Sequence, residues 1–411
     1  MIDSGNIWIT PRSHVKTLNK HVILDLIRFT VGGITRADIS RQLGLTRAAV
    51  SGIIKDLVDE GIVREGETKF SGGRRPVTLE IVPEKGFVIG VDIGATHLYV
   101  CLSDFGAKII HEGEVNIDIN DGPEIVLTQV EQLIQQILHE KSLDLKEISA
   151  IGVGVPGPVI FEKGTVSMPP IMPGWNNFPI RDYLSKKLGK PVLVNNDAEL
   201  GALGEWAYGA GRGEKNITYI KVGTGIGAGL IFENKIYHGT AGAAGEIGHT
   251  TIDEKGPQCT CGNFGCLEAL AGGYAITQKA SSALESGKRS LLKEKMNSHK
   301  ITAKDVIATA KMGDLLSQQI ISDAGKYLGI AIAGLINVIN PAIVIIGGGV
   351  SASGDLLLDP IREAVSNRSL FASFSTVRIS AALLGKRATG MGAITQALSY
   401  IIHKTDNWDR L

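Results

Sequence analysis

The chain has 411 residues, 44% of them hydrophobic, which allows two or three domains with well-filled cores. Its 42 basic and 42 acidic side chains cancel, and this argues against a bulk nucleic-acid binder that relies on overall charge. No charged leader with an apolar stretch and a small-residue cleavage site opens the sequence, and no apolar run approaches membrane-spanning length. A soluble cytoplasmic protein with no membrane partner is expected.

The neutral average conceals a local bias, since residues 1–80 hold twelve basic and nine acidic side chains, a net of +3. Within that stretch Val15, Leu18, Val22, Ile23, Leu26 and Ile27 recur with helical spacing up to Gly32 and Gly33. A first helix is expected there. Thr35, Arg36, Ala37 and Asp38 read as a capping signal for a short second helix carrying Ile39 and Leu43 and closed by Gly44. Leu45 and Thr46 restart a third, with Val50, Ile53, Ile54, Leu57 and Val58 on one face and Gly61 as its stop. Helix, short helix, turn and longer helix is the helix-turn-helix order.

On the third helix Thr46, Arg47, Ala48, Ser51, Gly52 and Lys55 face away from the apolar stripe, and small or hydrogen-bonding side chains of this kind suit a major groove. Residues 62–64 and 77–81 then read as a hairpin around the tip 71–76, where Arg74 and Arg75 fit a wing reaching a phosphate backbone or minor groove. The competing reading is a helical dimerisation module with merely solvated arginines.

From Phe87 the texture changes to apolar strands and glycine turns. Residues 87–96 read as a buried strand ending in a small-residue turn, followed by strands near 97–103 and 108–115. The same grammar returns at 217–227, with strands near 228–233 and 235–238, so an internal duplication and two α/β lobes with a cleft between them are expected. Glycine turns let backbone N–H groups approach phosphate oxygens, and Asp92 is placed to hold Mg²⁺ directly or through water. A third glycine cluster, Gly347, Gly348 and Gly349, ends an apolar strand where a flat adenine ring could lie against the backbone. Each turn taken singly reads equally well as a tight turn.

Between the lobes, residues 192–199 form a strand running into Asn195, Asn196, Asp197 and Glu199 and then a helix over about 198–207. A carboxylate at such a strand end is placed to take a proton from a sugar hydroxyl, while helix N-capping is a second role open to Asn196 or Asp197. Further on, Cys259, Cys261 and Cys266 follow His249. Three thiolates and one imidazole complete a tetrahedral Zn²⁺ shell with no open position, which is structural rather than catalytic. Cys259 and Cys261 are too close to pair easily as a disulfide. The metal would staple loop 249–266 beside Glu246 and Glu268, two carboxylates able to hold a polar ligand.

With these residues in view, the chain resembles the ROK family (repressors, open reading frames, kinases) over nearly its whole length, in the branch that precedes a sugar-kinase-like body with a winged helix-turn-helix. The specific elements are GEIGH at 245–249 and CTCGNFGCLE at 259–268, supported by VPGPV at 155–159, NNDAE at 195–199, VGTGIGAG at 222–229 and IIGGG at 345–349. The front module with SGGRRP at 71–76 looks like that of ROK repressors for xylose, glucose or N-acetylglucosamine genes.

The resemblance implies an α/β fold with a winged helix-turn-helix over 1–82 and an actin/hexokinase-like (ASKHA) two-lobed body over 83–411. Lobe I would take about 83–195 plus the C-terminal helix, and lobe II about 196–390. It implies structural zinc on His249, Cys259, Cys261 and Cys266, and sugar contacts from Asn196, Asp197, Glu246, His249 and Glu268, with Asp197 the general base if sugar is phosphorylated. His249 would serve both, one ring nitrogen on the metal and the other toward the sugar. Asp92, Gly94, Thr96, Gly223, Thr224, Gly225, Gly227, Gly347 and Gly348 fall on ATP-site positions, and Thr46, Arg47, Ser51, Lys55, Arg74 and Arg75 on the DNA-contacting surface. One departure stands out: where the family's kinases usually read DIGGT, this chain has Ala95 within Asp92–Thr96.

The expected function is a sugar-responsive repressor that binds operator DNA as a homodimer or homotetramer, with an aldose or N-acetylated hexosamine as effector. The rival expectation is an ATP- and Mg²⁺-dependent glucokinase-like sugar kinase with a secondary DNA-binding module. A third is a regulator answering to a phosphotransferase protein.

Overall fold

The computed structural model describes residues 12–66, 77–167, 169, 172–296 and 298–403. The expected wing tip at 71–76, with Arg74 and Arg75, lies outside them. Among the described residues no helix is long and apolar enough to cross a membrane.

The chain opens with α1 (Arg12–Phe29), β1 (Ile34–Thr35), α2 (Arg36–Leu43), α3 (Arg47–Asp59), β2 (Val63–Glu65) and β3 (Thr78–Ile81). Helix α2 starts where the capping signal lies. The Thr35 hydroxyl accepts from the Asp38 amide, the Asp38 carboxylate answers on Thr35, and Gly44 ends the helix in the left-handed region. Thr46 caps α3 by accepting from the Ala49 amide. β3 pairs with both β1 and β2 in a small antiparallel sheet, so the expected hairpin gains a third strand. The roll of α1 differs from expectation. Ile23, Leu24 and Ile27 are buried while Leu18 and Val22 stand about half exposed, because the buried face extends toward the body rather than only toward α2 and α3. Val58, expected inward on α3, is exposed as well.

Lobe I is built from β4 (Phe87–Ile93), β5 (His97–Asp104), β6 (Ile109–Asn116), α4 (Pro123–Glu140), β7 (Ile148–Val155), the short pair β8 (Val159–Ile160) and β9 (Thr165–Val166), α5 (Ile180–Leu188) and β10 (Val192–Asn196). Its sheet runs β10-β7-β4-β5-β6, with β4 antiparallel to β5 and parallel to β7. Helix α6 (Asp197–Tyr208) leads to lobe II, which comprises β11 (Ile217–Val222), β12 (Ile226–Phe232), β13 (Lys235–Ile236), α7 (Leu267–Ala271), α8 (Gly273–Glu285), α9 (Leu292–Met296), α10 (Ala303–Lys311), α11 (Leu315–Ile339), β14 (Ile343–Gly347), α12 (Asp355–Arg368), α13 (Phe371–Phe374) and β15 (Arg378–Ala381). Its sheet runs β13-β12-β11-β14-β15, again with an antiparallel hairpin and a parallel neighbour. Order and sense repeat strand for strand, so the duplication read from the two glycine turns is a duplication of whole sheets.

The last helix, α14 (Ala388–Ile402), crosses behind the cleft between α6 and the β4 and β7 strands. The crossing is close: a Cβ at Gly392 would lie 1.8 Å from the Leu200 carbonyl oxygen, so no side chain fits there. Its other face carries Met391, Ile394, Ala397, Leu398 and Ile402 into one apolar cluster with Ile23, Leu24 and Ile27 of α1. Polar contacts follow the same seam. Arg28 donates to the Ser399 hydroxyl at 2.9 Å, and His403 Nε2 lies 3.1 Å from Asp25 Oδ1.

Candidate sugar cleft, metal cluster and nucleic-acid face

A cleft of about 110 Å³ opens between the two sheets, with several polar side chains converging on it. Strand β10 delivers Asn196 and Asp197 to its floor, and the cap question resolves at Asn196. Asn196 Oδ1 accepts from the amides of Ala198 and Glu199 at 2.8 and 3.1 Å, and Nδ2 donates to the Gly157 carbonyl at 2.9 Å. Asp197 is thereby released from capping. Its carboxylate meets the Lys221 ammonium of β11 at 2.9 Å.

Glu246 reaches the cleft because the chain bends sharply at Gly245, which has φ of +92° and sits so close to β12 that a Cβ would lie 2.0 Å from the Ala228 carbonyl oxygen. Burial, together with the carboxylates of Asp197, Glu268 and Glu199, pushes the Glu246 carboxyl up to about 7. Near neutral pH it can therefore donate or accept toward a ligand hydroxyl. Glu268, in the first turn of α7, accepts from the Ile226 amide at 2.9 Å and so ties α7 to β12.

His249 ends a 3-10 turn with its ring between two neighbourhoods. Nδ1 lies 3.6 Å from Cys259 Sγ, and Nε2 lies 3.9 Å from Glu246 Oε2. Cys261 and Cys266 place their sulfurs 3.7 Å apart, and one ligand atom from each of the four residues lies within 4.8 Å of the others. Tetrahedral zinc with Zn–S near 2.3 Å and Zn–N near 2.0 Å requires S···S of roughly 3.8 Å and S···N of roughly 3.6 Å. The cluster has the donor set and the spacing for such an ion. All four cysteines are free thiols, and the fourth, Cys101, is buried elsewhere in the body.

Of the residues singled out from sequence, Gly94, Asn196, Asp197, Gly223, Thr224, Gly225, Gly227, Glu246, His249 and Glu268 line one cleft. Four others lie off its wall. Thr96 is exposed beside it, Asp92 is buried beneath Lys221, and Gly347 and Gly348 pack on β11 against Tyr219 and Val222. Lys221 and His97 were not anticipated. Lys221 Nζ also lies 3.3 Å from Asp92 Oδ1 and 3.4 Å from Thr389 Oγ1, and His97 Nε2 is 3.6 Å from Asp92 Oδ2. Burial would lower the lysine and raise the aspartate, but their mutual attraction outweighs it: Lys221 is raised and Asp92 lowered, so both stay charged. The one available signal was a lone charge inside the otherwise uncharged strand Ile217–Val222. A second unanticipated pair lies beside the cleft, where His238 Nδ1 is 2.8 Å from Oε2 of the buried Glu199.

On the front module Thr46, Arg47, Ala48, Ser51, Gly52 and Lys55 share one exposed face of α3. Neighbouring basic groups are consumed in ion pairs: Lys20 with Glu60, Arg36 with Glu65, Arg41 with Asp38, and Arg64 with Glu80 and Glu84. Arg47 and Lys55 form no ion pair among the described residues. They remain available to phosphates or base edges.

Comparison with known proteins agrees with both halves. The ROK family profile matches residues 88–399, and a winged helix-turn-helix DNA-binding profile matches residues 32–64. The xylose repressor of Caldicellulosiruptor bescii is 36% identical over 94% of this chain and 96% of its own. Among solved structures, a ROK family transcriptional regulator described as a homologue of the E. coli MLC protein superposes with a TM-score of 0.78 at 28% identity, covering 95% of this chain and 98% of that one. A ROK glucokinase from Streptomyces griseus, solved with glucose and AMPPNP, superposes with a TM-score of 0.69 at 30% identity, covering 76% of this chain and 99% of its own.

Proposed function

Because the chain belongs to the ROK family, with a winged helix-turn-helix in front of the family body, we propose that it is a sugar-responsive transcriptional repressor. The module of residues 1–82 binds operator DNA through Thr46, Arg47, Ser51 and Lys55, together with Arg74 and Arg75. The body of residues 83–411 holds an aldose between its lobes, through Asn196, Asp197, Glu246, His249 and Glu268. Xylose is the first sugar to test, since the repressor similar over nearly the full chain carries that name. Zinc on His249, Cys259, Cys261 and Cys266 fixes the walls that carry Glu246 and Glu268. A symmetric oligomer presents two modules to a palindromic site.

The observation that carries this reading is the helix shared by cleft and module. Thr389, at the start of α14, donates to the Asp197 carbonyl at 3.1 Å, and Ser399, near its end, is held by Arg28 of α1. A shift of lobe closure around sugar therefore moves the element on which the DNA module rests. Operator binding followed by fluorescence anisotropy, against a panel of aldoses and N-acetylated hexosamines, tests it. One sugar should release the DNA. Rapid ATP-dependent phosphorylation of that sugar, with no sequence-specific DNA binding, would overturn the reading.

Two substitutions separate the DNA contacts. Arg47→Ala is expected to weaken operator binding by about 1–3 kcal/mol and to relax sequence preference, as for loss of a base-reading arginine. Lys55→Ala is expected to lower affinity evenly across sequences and to reduce the salt slope by about one. Anisotropy titrations at several salt concentrations distinguish the two, and an unchanged Arg47→Ala profile would remove α3 from the interface.

A further inference from the structure

We propose that the Lys221 ammonium is a built-in counter-ion for Asp92 and Asp197, standing where a sugar kinase needs metal-bound phosphate. On this account the cleft takes its sugar with neither metal nor nucleotide. The inference rests on the sugar-binding reading above.

Two carboxylates facing one buried space repel each other unless a cation lies between them. A phosphoryl-transferring enzyme supplies that cation as Mg²⁺ on the phosphate chain, and Mg²⁺ needs carboxylate oxygens open to it or to its water shell. Here three of the four oxygens already face a basic side chain. Lys221 Nζ lies 2.9 Å from Asp197 Oδ2 and 3.3 Å from Asp92 Oδ1, while His97 Nε2 lies 3.6 Å from Asp92 Oδ2. The side chains of Lys221, Asp197 and Asp92 are 13%, 14% and 4% exposed, so little water screens the three charges.

A second side chain packs against the first glycine turn. A Cβ built at Gly94 would lie 2.1–2.8 Å from three atoms of the His97 ring, so the imidazole lies directly on that turn at the cleft wall. These residues do not fit Mg²⁺·ATP as they stand. They fit a smaller task, in which Lys221 is a positioning residue. It fixes the carboxylate of Asp197 across the cleft, ready to accept from a sugar hydroxyl.

Manganese binding read by electron paramagnetic resonance on the zinc-loaded, full-length protein tests the counter-ion directly. The unmodified protein should bind neither Mn²⁺ in the cleft nor AMPPNP, and its sugar affinity should change by less than about twofold when Mn²⁺ is added. Lys221→Met should gain a Mn²⁺ site. Its sugar affinity should fall roughly tenfold or more without metal, as when a charged partner is lost from a buried hydrogen bond, and should recover with Mn²⁺. A merely structural lysine would not make sugar binding metal-dependent. Mn²⁺ or AMPPNP bound by the unmodified protein would overturn the proposal even if Lys221→Met does not fold, and so would a folded Lys221→Met protein without a Mn²⁺ site. A gained Mn²⁺ site in a protein that binds no sugar would uphold the counter-ion and defeat only the sugar reading.

Discussion

Cys266→Ser is expected to strip the protein of its metal and to cost most of its sugar affinity in the same step. Cys266 is fully buried, and its thiol lies 3.7 Å from Cys261 Sγ and 3.5 Å from the His249 carbonyl, at the centre of the quartet. A serine hydroxyl there is a hard, neutral ligand in place of a soft thiolate, and structural zinc shells contribute on the order of 10–16 kcal/mol when all four ligands are present. Loss of the ion frees the loop between His249 and Cys266. That loop otherwise hangs on a few backbone bonds, such as Cys259 N to Asn263 O and Gly265 N to Pro257 O. Glu246 and Glu268 flank it on either side, so sugar affinity should drop by about 10- to 100-fold, as for loss of a supporting partner at a metal site. Elemental analysis and calorimetry on the same preparation read both effects. A wild-type protein lacking stoichiometric zinc, or a metal-free variant binding sugar normally, would refute the role. Operator affinity should survive, because α1 and α14 touch none of the four ligands.

Gly392→Val is expected to damage folding everywhere at once. The position faces backbone, so the Leu200 carbonyl oxygen cannot rotate aside as a side chain would, and α14 would have to move off α6. Overpacking of this kind costs about 1–3 kcal/mol or more, which corresponds to roughly 2–12 °C in melting temperature for domains of moderate size. Calorimetry should show the loss. The same variant should bind both sugar and operator less well, since α6 begins at Asp197 and α14 supports α1. A Gly392→Val protein that melts like the unmodified one would show that the close crossing is not a constraint.

What could be read without coordinates was mostly local. The clustering of His249 with Cys259, Cys261 and Cys266 was legible because the four residues fall in one short stretch. The face of α3 was legible because helical periodicity separates Val50, Ile53, Ile54 and Leu57 from Arg47, Ser51 and Lys55. The duplicated sheets were legible from two glycine turns followed by hairpins. Lys221 was not, because its partners Asp92 and Asp197 stand 129 and 24 residues away, and nothing local says that a strand lysine will find them. The half exposure of Leu18 and Val22 was not legible either, for a related reason. Periodicity defines an apolar stripe on α1 but not its roll, and the roll follows from α14, whose Ser399 lies 371 residues from Arg28.

The seam between α1 and α14 also bears on the order of events during synthesis. The front module leaves the ribosome early, but α14, whose Ser399 accepts from Arg28 of α1 and whose apolar residues share a cluster with those of α1, emerges only after both lobes have been made. Until then Arg28 lacks Ser399 and Asp25 lacks His403, and the apolar cluster shared by α1 and α14 is incomplete. A nascent or prematurely ended chain lacking α14 would carry a loosely held DNA-binding domain, open to chaperones and proteases. The attachment of the front module to the body is thereby completed last.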